Sequence, residues 1–143
     1  CYWREYDNAI PEDAYPAGKD INDKDIYIGQ VYVNGYGLYV GPIFPGTREV
    51  EVSAYGYRKT NQIIKILCTK HQNNLFWLDQ STVTGREDVY LIVGGYDHVN
   101  DKTLYIGRTK QKGILKVGNV SHFRSPLWFG EGNKDANVAD YEI

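Results

Sequence analysis

Two carboxylates, Asp20 and Asp97, stand in matching local contexts: Ala17-Gly18-Lys19-Asp20 and Gly94-Gly95-Tyr96-Asp97, each followed by an Asn-Asp-Lys run. A short acidic side chain beside a turn accepts hydrogen bonds from the backbone, and it can equally accept them from a ligand's hydroxyls. Two carboxylates converging on one bond would be the equipment of a glycosidase. These two fall in separate repeats, so no catalytic residue is expected and the chain reads as a non-enzyme. The histidines His71, His98 and His122 are scattered, without His-x-x-His or His-Cys spacing, so neither a metal nor a cofactor is expected. Cys68 closes an apolar run and reads as a small buried hydrophobe. With Cys1 it makes two free thiols rather than a disulfide framework. Gly94-Gly95 and Gly130-Glu131-Gly132 lack the strand-to-helix setting of a phosphate loop and read as turns. Asn119-Val120-Ser121 is a glycan acceptor sequon, and a glycan there would block the second carboxylate's surroundings.

The elements that must hold these residues are strands. Tyr is 13 and Gly 15 of 143 residues while Met is absent, a composition of short β-prone segments broken by tight turns. Asn22-Asp23-Lys24-Asp25-Ile26-Tyr27-Ile28-Gly29 recurs as Asn100-Asp101-Lys102-Thr103-Leu104-Tyr105-Ile106-Gly107, with 6 of these 8 pairs identical. The flanks are collinear. Val40-Gly41 faces Val117-Gly118, Ala54-Tyr55-Gly56 faces Trp128-Phe129-Gly130, and Trp3 and Trp77 open the two copies. The repeat predicts two units, 3–73 and 74–143, within a single domain spanning 1–143. Strands are expected at 26–33, 38–40, 49–52 and 63–67 of the first unit, with Asn34-Gly35 as a hairpin turn in which both residues accept positive φ. Units this short cannot cover both faces of a sheet alone. The expected fold is therefore all-β: two tandem repeats packed with pseudo-twofold symmetry into one compact antiparallel domain. A net charge of −2 carries no basic field for nucleic acid, and no apolar run approaches a membrane span.

In order and spacing, Trp3, Ile10-Pro11-Glu12-Asp13-Ala14, Ala17-Gly18-x-Asp20, Ile26-Tyr27-Ile28-Gly29, Val40-Gly41 and Tyr55-Gly56 resemble the DM9 repeat. The second copy resembles it through Trp77, Gly95-x-Asp97, Leu104-Tyr105-Ile106-Gly107-Arg108, Val117-Gly118 and Asp140-Tyr141-Glu142-Ile143. The resemblance covers nearly the whole chain. It implies a pseudosymmetric β protein, associating as a homodimer, of the kind that reads mannose-type sugars on microbial or host surfaces in invertebrate innate immunity. It also implies a cytoplasmic or vesicle-associated place, with secretion left open.

In the lectins of that family the sugar is read by the Asp of the Ala-Gly-x-Asp segment and by a Lys after the glycine of a Pro-Gly-Lys segment. Here the Asp is kept twice, as Asp20 and Asp97, and the Lys is replaced by Pro42 and Asn119. The basic residue after the tyrosine strand is Arg108 in one copy and Gln30 in the other. The carbohydrate-binding candidates are accordingly Asp20, Asp97, Arg108, Asn119 and Gln30, with Lys116 able to reach back toward the second site. Pro42 has no N–H to donate while Asn119 can donate and accept, which favours the second unit. The alternative is a protein-interaction or scaffold module of the infection response that has lost sugar reading.

Overall fold

The computed structural model describes residues 1–143. Its strands are β1 (Tyr2–Glu5), β2 (Pro16–Lys19), β3 (Asp25–Val33), β4 (Gly37–Ile43), β5 (Val50–Ser53), β6 (Tyr57–Thr60) and β7 (Ile64–Cys68), followed by β8 (Val93–Asp97), β9 (Lys102–Gln111), β10 (Ile114–Val120), β11 (Leu127–Glu131) and β12 (Lys134–Val138). Two 3-10 turns, Gln72–Asn74 and Gln80–Thr82, are the helical content, so the molecule is all-β. Every strand pair is antiparallel. The main sheet runs β1-β7-β3-β4-β8-β9-β10-β11-β12 with β2 on β3, and β5-β6 forms a separate hairpin.

One pairing scheme recurs. β2 meets β3 through Gly18↔Ile26 and Lys19↔Asp25, and β8 meets β9 through Gly95↔Leu104 and Tyr96↔Thr103, each with a bulge before its glycine. The β3–β4 and β9–β10 hairpins follow. In the first turn Tyr36 N–H donates to Val33 O at 2.9 Å and Gly35 takes φ +84°, while Asn34 keeps a negative φ, so only the glycine uses left-handed freedom. In the second turn Lys112 (φ 52°) and Gly113 (φ 79°) both lie in the left-handed region, the backbone a two-residue hairpin needs.

The halves are interlocked rather than stacked. β8 lies on β4 through Gly37↔Asp97 and Leu38↔Tyr96, and β2 returns the contact by laying Gly18 over Leu115 of β10. One core cluster draws Ala17, Ile26, Ile28 and Leu67 from the first half and Ile106, Leu115 and Val117 from the second. The glycines of β4 and β10 also correct the alignment read from sequence. Gly41 sits against the Glu51 carbonyl and Gly118 against the Trp128 carbonyl, each without room for a Cβ. Glu51 therefore stands where Trp128 stands, and Ala54-Tyr55-Gly56 is not the counterpart of Trp128-Phe129-Gly130.

Candidate functional site

Asp97 ends β8, where the turn back to β9 aims N–H groups at it. Its Oδ1 accepts from Val99 N–H at 2.9 Å and Asn100 N–H at 3.1 Å. Its Oδ2 accepts from the Tyr55 hydroxyl at 2.5 Å, and that hydroxyl in turn accepts from the Asn100 side-chain amide. Tyr55 reaches over from the β5–β6 turn, held at φ 53° and stacked on Tyr36. Asp97 is only 8% exposed, and burial by itself would raise its pKa. The Tyr55 hydroxyl and the two amide donors outweigh that and hold it below the ordinary carboxylate value. The same carboxylate, after burial, pushes the Tyr55 hydroxyl up to about 12.

Around this group lies a cleft of about 330 Å³. Tyr39, Leu104 and Asn119 are buried in its floor; Lys102, Ser121, Trp128 and Asp135 also line it. Trp128 is 41% exposed, so part of its indole is free. Lys102 makes no ion pair, and Asp135 Oδ1 is buried without a hydrogen-bond partner. An aromatic surface, carboxylates, hydroxyls and an ammonium thus meet in one concavity, which can stack a ring and exchange hydrogen bonds with its substituents.

Asp20 keeps only the turn-capping half of this arrangement. It accepts from Asn22 N–H at 2.8 Å and Lys24 N–H at 2.9 Å, and it is half-buried. The cleft of about 220 Å³ that matches Asp97's in the first half is lined by Pro42, Phe44, Glu51 and Lys116, and Asp20 is not part of it. Lys116 belongs there too, 3.9 Å from Glu131 and above Phe129, so it does not reach back to the second site.

Gln30 and Arg108 are fasteners between the halves. Gln30 Nε2 donates to Gly94 O at 2.7 Å, and Arg108 Nη1 donates to the matching carbonyl, Ala17 O, at 2.6 Å. Arg108 also pairs with Glu142 at 3.0 Å and lies 4.3 Å from the centre of Trp77. Neither lines the Asp97 cleft. Asn119 lines it, but its amide is committed to the backbone: Oδ1 accepts from Val40 N–H at 2.7 Å and Nδ2 donates to Ser53 O at 3.3 Å. It is 4% exposed, so the folded chain offers no acceptor for a glycan at that sequon.

Tyr55, Asn100, Lys102, Trp128 and Asp135 are cleft residues that sequence reasoning did not assign. Asn100 and Lys102 belong to the repeated Asn-Asp-Lys run. Tyr55 comes from 42 residues away in the chain, and no local spacing announces such a contact.

No family model and no curated protein matches the chain. Among solved structures, the nematode sperm cell motility protein MFP2B is similar, with a TM-score of 0.67 at 14% identity over 99% of this chain. The chain spans 45% of that protein's length, and the likeness at this identity is one of fold.

Proposed function

We propose that the chain is a non-catalytic, DM9-type recognition protein that binds carbohydrate in the Asp97 cleft, with mannose-type sugars as the first ligands to test. One observation carries the reading: the exposed Trp128 indole shares a cleft of about 330 Å³ with Asp97, Tyr55, Asn100 and Lys102. A sugar ring presents an apolar face for stacking and vicinal hydroxyls that both donate and accept, and this set answers both demands. Asp97 Oδ2 is left with acceptor capacity after Tyr55, and Lys102 supplies a donor in the cleft where Asn119 is committed to the backbone. The two halves differ, so one such site per chain is expected. A homodimer would set two weak sites side by side and bind a glycan-coated surface more tightly through avidity.

Glycan-array screening followed by calorimetry on Trp128→Ala and Lys102→Ala tests the assignment. Trp128→Ala is expected to weaken binding by roughly tenfold, about 1.4 kcal/mol. A blank array, or sugar binding untouched by both variants, would overturn the reading and favour a protein-interaction module.

A further inference from the structure

The Asp97 cleft holds its charges unevenly. Two carboxylates line it, Asp97 and Asp135, against one ammonium, that of Lys102. None of the three is in an ion pair. Lys102 is an exposed residue at the start of β9, where water screens its charge. Asp97 is buried and Asp135 half-buried, so the negative charge lies deeper than the positive. Arg58, on the neighbouring β6, does not redress the balance. Its guanidinium donates to the Ala54 and Tyr55 carbonyls at 3.1 and 3.2 Å and lies over the Tyr36 ring.

The sheet sets Asp135 beside the aromatic wall. β11 and β12 pair Trp128 with Asn137 and Gly130 with Asp135, so Trp128 and Asp135 project from the same face. Gly130 has no side chain to cover the carboxylate opposite it, and the Tyr57 ring closes that face from the β5–β6 hairpin. Asp135 Oδ1 is buried there without a donor. A carboxylate oxygen stripped of water and left unpaired costs the folded chain stability, and a ligand that brings a donor recovers it. A sugar hydroxyl brings one donor and no charge. An ammonium brings three donors and a positive charge, which both carboxylates attract and the face of an indole favours over a neutral group.

We propose that the sugar this cleft selects is a hexosamine with a free, protonated amine, its ammonium meeting the Asp135 carboxylate while its ring lies on Trp128. The inference rests on the carbohydrate reading of the cleft and narrows it to a charged class. Asp97 then accepts from a hydroxyl of the same ring. Acetylation of the amine removes the charge and two of the three donors, so the acetylated sugar loses its advantage.

The probes are mannosamine and glucosamine, with mannose and glucose as their neutral parents, titrated calorimetrically into the whole chain at pH ~6, where the amine is protonated. In the pair that the cleft accepts, the amino sugar is expected to bind roughly tenfold tighter than its parent, and the N-acetyl form to lose that margin. Asp135→Asn keeps the shape of the side chain and removes its charge, and should bring the ratio of the two affinities to about one. The ratio is the readout, since a loss of packing that weakens both sugars alike leaves it unmoved. A wild-type ratio near one overturns the amine and leaves the carbohydrate reading standing. A preference that survives Asp135→Asn overturns the assignment to Asp135. Binding of neither sugar removes this inference together with the reading beneath it.

Discussion

A carboxylate that gives up most of its water keeps its charge only where N–H and O–H groups replace that water, and Asp97 has three such donors. Because its folded pKa is depressed, Asp97 contributes stability that is fully present above the unfolded carboxylate value, about 3.9, and is lost as pH falls through the lower folded value. Melting curves from pH 7 to pH 2 should therefore show wild type above Asp97→Asn across the neutral range, with the gap closing below pH ~4. Asp135 is the opposite case, since its buried Oδ1 meets no donor. Removing an unpaired buried acceptor relieves its desolvation, so Asp135→Ala is expected to raise stability by about 1 kcal/mol in denaturant titrations. A lowered midpoint would mean that Asp135 has a partner in solution. The thiols divide in the same way. Burial, followed by Asp13, pushes the Cys68 thiol up to about 11 while Cys1 is exposed, so an alkylating reagent should consume Cys1 quickly and Cys68 only at the rate of unfolding.

Strands cross closely in this fold where glycine removes the Cβ. Gly41 and Gly118 each lie flat against a carbonyl of the following strand, Glu51 and Trp128, and backbone cannot yield as a flexible side chain can. Gly118→Ala is expected to cost about 3 kcal/mol or more. Gly85→Ala, in open space at φ +78°, should cost only about 1 kcal/mol of backbone strain. Urea unfolding of the two variants gives the comparison, and equal losses would remove the close-crossing argument. These elements were largely legible in the sequence. The alternation of Glu49-Val50-Glu51-Val52 marks β5, whose valines are buried, and the Ile26-Tyr27-Ile28-Gly29 repeat places β3 and β9. What could not be read was partnership. Gln30, Arg108 and Asn119 are ligand candidates through the family resemblance, and polar residues on strands carry no mark of whether they face solvent or the other half. Their hydrogen bonds run to Gly94, Ala17 and Val40, at sequence separations of 64, 91 and 79. The turn that caps Asp97 is local in the sequence, whereas Tyr55, which completes its hydrogen bonding, lies 42 residues away.

β8 of the second half pairs with β4 of the first, β2 of the first half lies over β10 of the second, and this decides how the whole molecule folds. Leaving residues 1–73 alone would strip β4 of β8, open the cluster that Ile106, Leu115 and Val117 close, and leave the buried Gln30 amide without the Gly94 carbonyl. Leaving residues 74–143 alone would deprive the Arg108 guanidinium of Ala17 O and the Asn119 amide of both its backbone partners. Each loss removes apolar burial and leaves a polar group unpaired, and a domain of this size has only about 5–15 kcal/mol of net stability to lose. Neither half is therefore expected to fold by itself, although each carries a full copy of the repeat. Residues 1–73 and 74–143, made separately, should give collapsed proton spectra and no cooperative melt. Mixed at equal concentration, they should recover both, with a midpoint that rises with concentration because association and folding are one step. Gln30→Ala and Arg108→Ala should weaken that reassembly more than they weaken the intact chain, where the covalent link keeps the halves at high effective concentration. A dispersed spectrum and a cooperative transition from either half alone would show instead that each repeat closes its own core, and that the crossed contacts are late additions to two finished units.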